Sequence, residues 1–186
     1  MTLLILGMIL WWGAHLIRRM TPGFRTNLTE RFGDASRGLV AGGIFLGLLL
    51  MIFGYRGSDF IPVYTPASWA THLNNLLMIC AVILMGAGSS KGRARTLLRH
   101  PMLTGAAVWS VAHLLVNGDL ASLILFGGIG LWALFQMRVI NAAEGPWERP
   151  VPGPIQGDIK LLVISAVVFV VIVGIHSLVG PSPFPG

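Results

Sequence analysis

Residues 161–179 contain no Asp, Glu, Lys or Arg at all. A run of that length and apolarity suits the hydrocarbon core of a bilayer, which takes roughly 20 mostly apolar residues per helix. Five further runs repeat the pattern, at 3–17, 38–55, 68–87, 102–117 and 120–137. The first and fourth are short, and extend into their flanks as far as Met20 and Pro101. The expected architecture is therefore all-α: one polytopic membrane bundle with spans at about 3–20, 38–55, 68–87, 101–117, 120–137 and 161–179. Barrel strands would alternate apolar and polar residues, whereas 44–53 and 166–175 are apolar on every face. Composition agrees, since 54% of the 186 residues are hydrophobic and 11% charged. A chain this small cannot hide that much apolar surface in one soluble core.

The net charge of +6 would suggest nucleic acid in a soluble protein. Here the bases sit between the apolar runs, so they orient the chain and imply no nucleic-acid partner. Arg18, Arg19, Arg25, Arg31 and Arg37 fall in the first connection, and Lys91, Arg93, Arg95 and Arg99 in the third. Arg138, Arg149 and Lys160 belong to the fifth and its edges, and only Arg56 lies opposite. The positive-inside rule then puts connections one, three and five in the cytoplasm and both termini on the periplasmic side of a bacterial inner membrane. Residues 1–14 lack the basic start of a signal peptide, and their arginines follow the apolar run, so they read as an uncleaved first span.

Residues 145–157, with four prolines, read as an irregular loop, and Asn117-Gly118-Asp119 as a tight turn between antiparallel helices. Gly38, Gly42, Gly43 and Gly47 in the second span, with Gly127, Gly128 and Gly130 in the fifth, read as small residues admitting close helix approach. The lone Cys80 excludes an intramolecular disulfide and a thiolate zinc site. No Walker loop, dinucleotide fingerprint, HExxH or hydrolase elbow occurs.

Polar side chains are costly within a membrane, so chemistry is confined to a few residues, the five histidines together with Asn74 and Asn75. No carboxylate lies inside any span, which argues against a proton relay or cation pathway. Neutral imidazoles without carboxylate partners suit axial ligation of haem iron between helices. Two of the five histidines share a setting: Trp11-Trp12-Gly13-Ala14-His15 and Trp109-Ser110-Val111-Ala112-His113 both read W-x-x-A-H. That spacing puts an indole one turn before the imidazole on the same face, with a small alanine beside it. The alternative is a pair of interfacial histidines satisfied by carbonyls. The first and fourth spans run in opposite directions, so two inverted three-helix halves would relate the two motifs. Counting from the span centres, His15 falls roughly 7 Å to the cytoplasmic side of the midplane and His113 roughly 5 Å to the outer side.

His72 at the start of the third span and His176 at the end of the sixth read as outer-surface residues in contact with water. His72 with His113 forms the rival ligand pair, and Asn75 shares the face of His72. His100, beside Arg99 and before Pro101, reads either as a solvated helix start or as a propionate or lipid-phosphate contact.

The run Arg99-His100-Pro101, then Trp109 to His113, then Asn117-Gly118-Asp119-Leu120-Ala121-Ser122 resembles the NnrU family of bacterial membrane proteins. The resemblance extends from the His15 segment through the sixth span. That family is associated with nitrite and nitric oxide respiration and is related to 15-cis-zeta-carotene isomerase, a haem b protein with two histidine ligands. One isomerase ligand lies thirteen residues after the histidine of an Arg-His-Pro motif, which here falls on His113. The other falls on His15, with Arg18 and Arg19 nearby. The resemblance thus implies haem b iron held by His15 and His113, with Trp11, Trp109, His100 and Arg99 around the cofactor. Where the isomerase carries a cysteine proposed as an alternative ligand, this chain has Ser110.

Three functions remain open on sequence. The first is a haem protein in or beside denitrification, redox-active or nitric oxide responsive, with respiratory nitrogen-oxide reductase components as partners. The second is a redox-gated haem isomerase of a bound polyene. The third is a haem-free transporter or assembly factor.

Overall fold

The computed structural model describes residues 1–180 and 183. Seven helices follow one another: α1 Thr2–Met20, α2 Pro22–Phe32, α3 Ala35–Arg56, α4 Ala70–Ala87, α5 Pro101–Val116, α6 Leu120–Glu144 and α7 Ile155–Val179. No strand forms among the described residues, only an isolated bridge between Pro62 and Asp119. Five helices (α1, α3, α4, α6 and α7) are long and apolar enough to cross a membrane. The sixth apolar helix, α5, has 16 residues and spans about 24 Å, short of a bilayer core of roughly 30 Å.

Helix ends depart from the apolar runs for local reasons. α5 starts on Pro101, whose ring presets φ and whose missing N–H is no loss at a first helical position. α6 continues to Glu144, because Asn141 and Glu144 find partners beyond the apolar segment. α2 lies inside what the sequence marks only as a connection. It opens on Pro22, stops at Gly33 with φ +54°, and buries no residue.

α1 packs along α3, and α5 along α4. α6 stands between these pairs against both α1 and α5, while α7 lies outermost against α4. The inverted-repeat expectation fits the two histidine turns but not the helix neighbours. α5 has α4 along it, whereas α1 has no comparable contact with α7 among the described residues.

The α1–α3 crossing is tight. A Cβ on Gly7 would stand 2.6 Å from the Met51 nitrogen, and one on Gly54 2.2 Å from the Leu4 nitrogen. Gly43 and Gly47 also face α1, while Gly38, Gly42 and Gly127 meet nothing within 4 Å. The core that α1, α3 and α6 share holds Leu4, Met51, Ala121, Ile129, Trp132 and Ala133.

Both ends are tied. At the arginine-rich end, Arg19 pairs with Glu144. There Arg99 donates to the Gly145 carbonyl (2.6 Å), and the Asp158 carboxylate accepts from the Arg93 and Ala94 N–H groups. At the Arg56 end, the segment before α4 straps the α5–α6 turn. The N–H groups of Val63 and Tyr64 donate to the Gly118 carbonyl, and the Tyr64 hydroxyl donates to the carbonyls of Leu114 and Asn117.

Candidate functional site

The two W-x-x-A-H segments fold alike. On α1 the His15 ring lies back over the preceding turn, and its Nδ1 donates to the Trp11 carbonyl (2.9 Å). On α5 the Nδ1 of His113 donates to the Trp109 carbonyl (3.0 Å). Each imidazole rests on the indole one turn earlier, with centroids 4.3 Å apart and planes at 43° for His15, and 4.6 Å and 47° for His113. A carbonyl only accepts, so the hydrogen sits on Nδ1, and a neutral imidazole then presents a bare lone pair at Nε2. Fixing one ring nitrogen to leave the other free is how proteins prepare a metal-ligating histidine.

Each ring also leans toward the start of its own helix, as helical side chains do. Since α1 and α5 run in opposite directions, the two imidazoles tilt toward one another's level. His15 meets Trp132 of α6 edge-on (4.7 Å), and His113 stacks on Phe126 of the same helix (4.5 Å, 26°). Six residues of α6 separate those rings, roughly 9 Å of rise.

Phe126 reaches His113 because α6 begins irregularly. Asp119 caps the helix, accepting from the Ser122 N–H (2.9 Å) and from the Ser122 hydroxyl, which also bonds Tyr55 (2.9 Å). Residues Leu123–Gly127 then wind as a wide π turn. Such turns commonly mark functional positions. Phe126 lies within it, edge-on to Trp109 (5.1 Å) and Tyr55 (6.0 Å).

A cavity of about 540 Å³ opens at the Arg56 end, lined by Tyr55, Asn74, Asn75, Trp109, His113, Phe126 and His176 among others. His176 is thus half-buried in the wall that holds His113, not a purely surface residue as the sequence suggests. Asn75 also lines the cavity, whereas His72, the other member of the rival pair, is exposed and outside it. The Asn74 amide donates to Asn75 (3.0 Å), which donates to the Pro183 carbonyl (3.3 Å). The side-chain Oδ1 of Asn74, a residue only 8% exposed, has no partner among the described residues.

The remaining sequence candidates lie elsewhere. His100 bonds Asn141 through Nε2 (2.8 Å), and Arg99 is held by Gly145 and Glu144. Both brace the arginine-rich end and line none of the cavity around His113. Ala112 is fully buried and serves helix packing, whereas Ala14 faces Gly43 of α3 and also lines an open apolar cavity of about 850 Å³ between α1, α2 and α3.

The donor chemistry fits haem iron: two imidazoles with free Nε2 positions, set among Trp11, Trp132, Trp109 and Phe126. Buried polar atoms point the same way. Among the described residues, Trp11 Nε1, Trp132 Nε1, Ser110 Oγ and Gln136 Oε1 have no hydrogen-bond partner, and all four lie on the helices that carry or flank the two histidines. Unpartnered polar atoms are costly inside a membrane, and a concentration of them marks a place where a bound group can supply partners. None of the cavities of about 440, 540 and 850 Å³ touches both histidines, however, and His15 lines none of the three. Sequence reasoning singled out Asn74 but missed Phe126, Trp132 and Gln136, whose facing depends on helix rotation. The intramembrane asparagine was the one signal that could have been followed further.

No curated protein and no solved structure matches the chain. The family model described as NnrU protein matches residues 3–183, nearly its whole length, and the chain belongs to the NnrU protein family.

Proposed function

We propose that this membrane protein is a b-type haem protein of the bacterial inner membrane, with His15 and His113 holding the iron. Its role would lie in or beside nitrite and nitric oxide respiration, as a redox or nitric oxide responsive component or an accessory factor. The observation that carries the reading is the duplicated turn, in which each imidazole has its Nδ1 fixed by the carbonyl four residues back and its Nε2 left bare. Family membership supports the nitrogen-oxide setting.

Bound haem supplies one-electron chemistry and affinity for diatomic gases, and axial ligands and surrounding dielectric tune both. The chain's own residues do the rest. The Trp11 and Trp109 carbonyls hold each ring in one tautomer and orientation. Trp132 and Phe126 keep the surroundings apolar, and the Asp119–Ser122–Tyr55 bonds anchor the start of α6, from which Phe126 projects.

The test is haem content. Protein purified in mild detergent from haem-replete cells should carry one extractable haem b per chain, and nitric oxide should perturb its reduced spectrum. Protein that stays colourless after reconstitution with haem would overturn the reading in favour of a haem-free role.

A further inference from the structure

A second cavity lies away from the histidines, between α4 and α7 at the arginine-rich end. It is a groove of about 440 Å³, walled by Val82 and Met85 of α4 and by Leu161, Ile164, Val168 and Ile172 of α7. Its upper rim is formed by Ser89, Ser90, Lys91 and Lys160. The chain has only two lysines, every other base being arginine, and both stand on this rim.

Several arginines at the same end are already occupied. Arg19 and Arg99 hold Glu144, Arg95 donates to the Val151 carbonyl, and Arg25 to Thr29 and Ser36. Among the described residues, neither lysine side chain has a hydrogen bond or ion pair. Asp158, two residues before Lys160, does not neutralise them, since its carboxylate accepts from the Arg93 (3.0 Å) and Ala94 (2.9 Å) N–H groups. Two unneutralised ammonium groups therefore stand at the mouth of an apolar groove.

We propose that this groove binds one anionic phospholipid, its phosphate between Lys91 and Lys160 and an acyl chain along α7. Length supports a lipid over a free anion. From Lys160 to Ile172 the helix rises roughly 18 Å, close to the roughly 15 Å of hydrocarbon in one leaflet. The chain's wall is open to the bilayer, with Ile164 60% and Val168 41% exposed. Charge sets the headgroup class. Paired lysines attract a net negative head and disfavour one carrying its own cation, and basic pockets between membrane helices recognise lipid in this way. Neither histidine lines the groove, which meets the His113 cavity only at Ile172, and the proposal stands whether or not haem binds.

The test is lipid retention. Protein reconstituted in nanodiscs of equal phosphatidylglycerol and phosphatidylcholine is released into detergent, and bound lipid is counted by native mass spectrometry. The wild type should retain phosphatidylglycerol preferentially. The double variant Lys91→Gln/Lys160→Gln should lose roughly 25-fold of that preference, at about fivefold per lysine. Arg31→Gln/Arg37→Gln, which changes the same net charge away from the groove, should behave as wild type. Val168→Trp, filling the acyl channel with both lysines intact, should also lose retention. Equal retention of the two lipids by the wild type would overturn the proposal. So would an unchanged lysine variant, an equal loss in the arginine control, or undiminished retention in Val168→Trp.

Discussion

Replacing Gly54 by alanine adds one methyl group where none fits. That Cβ would lie 2.2 Å from the Leu4 nitrogen and 2.7 Å from the Leu4 Cα, both backbone atoms that no rotamer change can move. Ordinary contact begins at 3.4 Å, so α1 must retreat from α3 by about 1.2 Å or tilt around the contact. Leu4 is fully buried against this crossing, which leaves little slack. Overpacking of this kind costs about 1–3 kcal/mol, offset in part by the roughly 0.5–1 kcal/mol that alanine gains over glycine within a helix. The structure supplies its own control. Gly42→Ala, on the same helix with nothing within 4 Å, keeps only the helical gain, so the two substitutions should have opposite signs. Reversible unfolding in mixed micelles, followed by steric trapping, measures both. The close-approach argument is wrong if Gly54→Ala matches the wild type or if Gly42→Ala destabilises as much. Because α1 carries Trp12, the retreat should also alter the bond from Trp12 Nε1 to the Gly128 carbonyl, now 3.2 Å, and shift the indole fluorescence.

Ser110→Ala removes a buried hydroxyl that has no partner among the described residues and should leave apoprotein stability unchanged or raise it by about 1 kcal/mol, as thermal unfolding would show. A loss of that size would mean the hydroxyl has a partner. Tyr64 has its hydroxyl pKa raised from the ordinary 10.0, first by burial and then by the nearby Asp119 charge, so it donates as neutral phenol. Its contribution is complete below the unfolded value and disappears only as the pH rises through the higher folded value. Tyr64→Phe should accordingly speed hydrogen exchange in 57–69 at neutral pH, while the wild-type strap should hold until strongly alkaline conditions; identical exchange in the two proteins would exclude the anchoring role. A C-terminal alkaline phosphatase fusion should be active and one within 88–98 inactive, as the distribution of bases requires, and the reverse pattern would invert the topology.

The parts of the fold that depend on one segment at a time were legible. Apolar runs gave the membrane helices, and the W-x-x-A-H spacing gave two alike turns, because an i to i−4 bond lies wholly within one helix. Whatever depends on helix rotation was hidden. Gly43 and Gly47 face α1 as small residues should, but Gly38 and Gly42 on the same helix face open space, and Gly7 and Gly54 make the tightest contacts of the α1–α3 crossing. Composition marks where a close approach is possible and not the side from which the neighbour comes. His176 was misplaced for the same reason: depth put it near the surface, while the rotation of α7 turns it into the cavity wall beside His113. Phe126 depends on the π turn of α6, which no apolar periodicity signals. α2 escaped notice because it buries nothing, and its ends are set by Pro22 and Gly33 rather than by an apolar stripe.

The most direct test of the ligand assignment is the absorption spectrum of the purified protein, oxidised and reduced, beside its single histidine variants. The account predicts a six-coordinate low-spin b-type spectrum in the wild type, lost in both His15→Ala and His113→Ala and retained in His72→Ala. His176→Ala should keep low-spin coordination with at most a small band shift, since His176 shares the cavity wall with His113 and is not assigned as a ligand. A full low-spin spectrum in His15→Ala, together with its loss in His176→Ala, would contradict the account and place the iron in the cavity between α5 and α7.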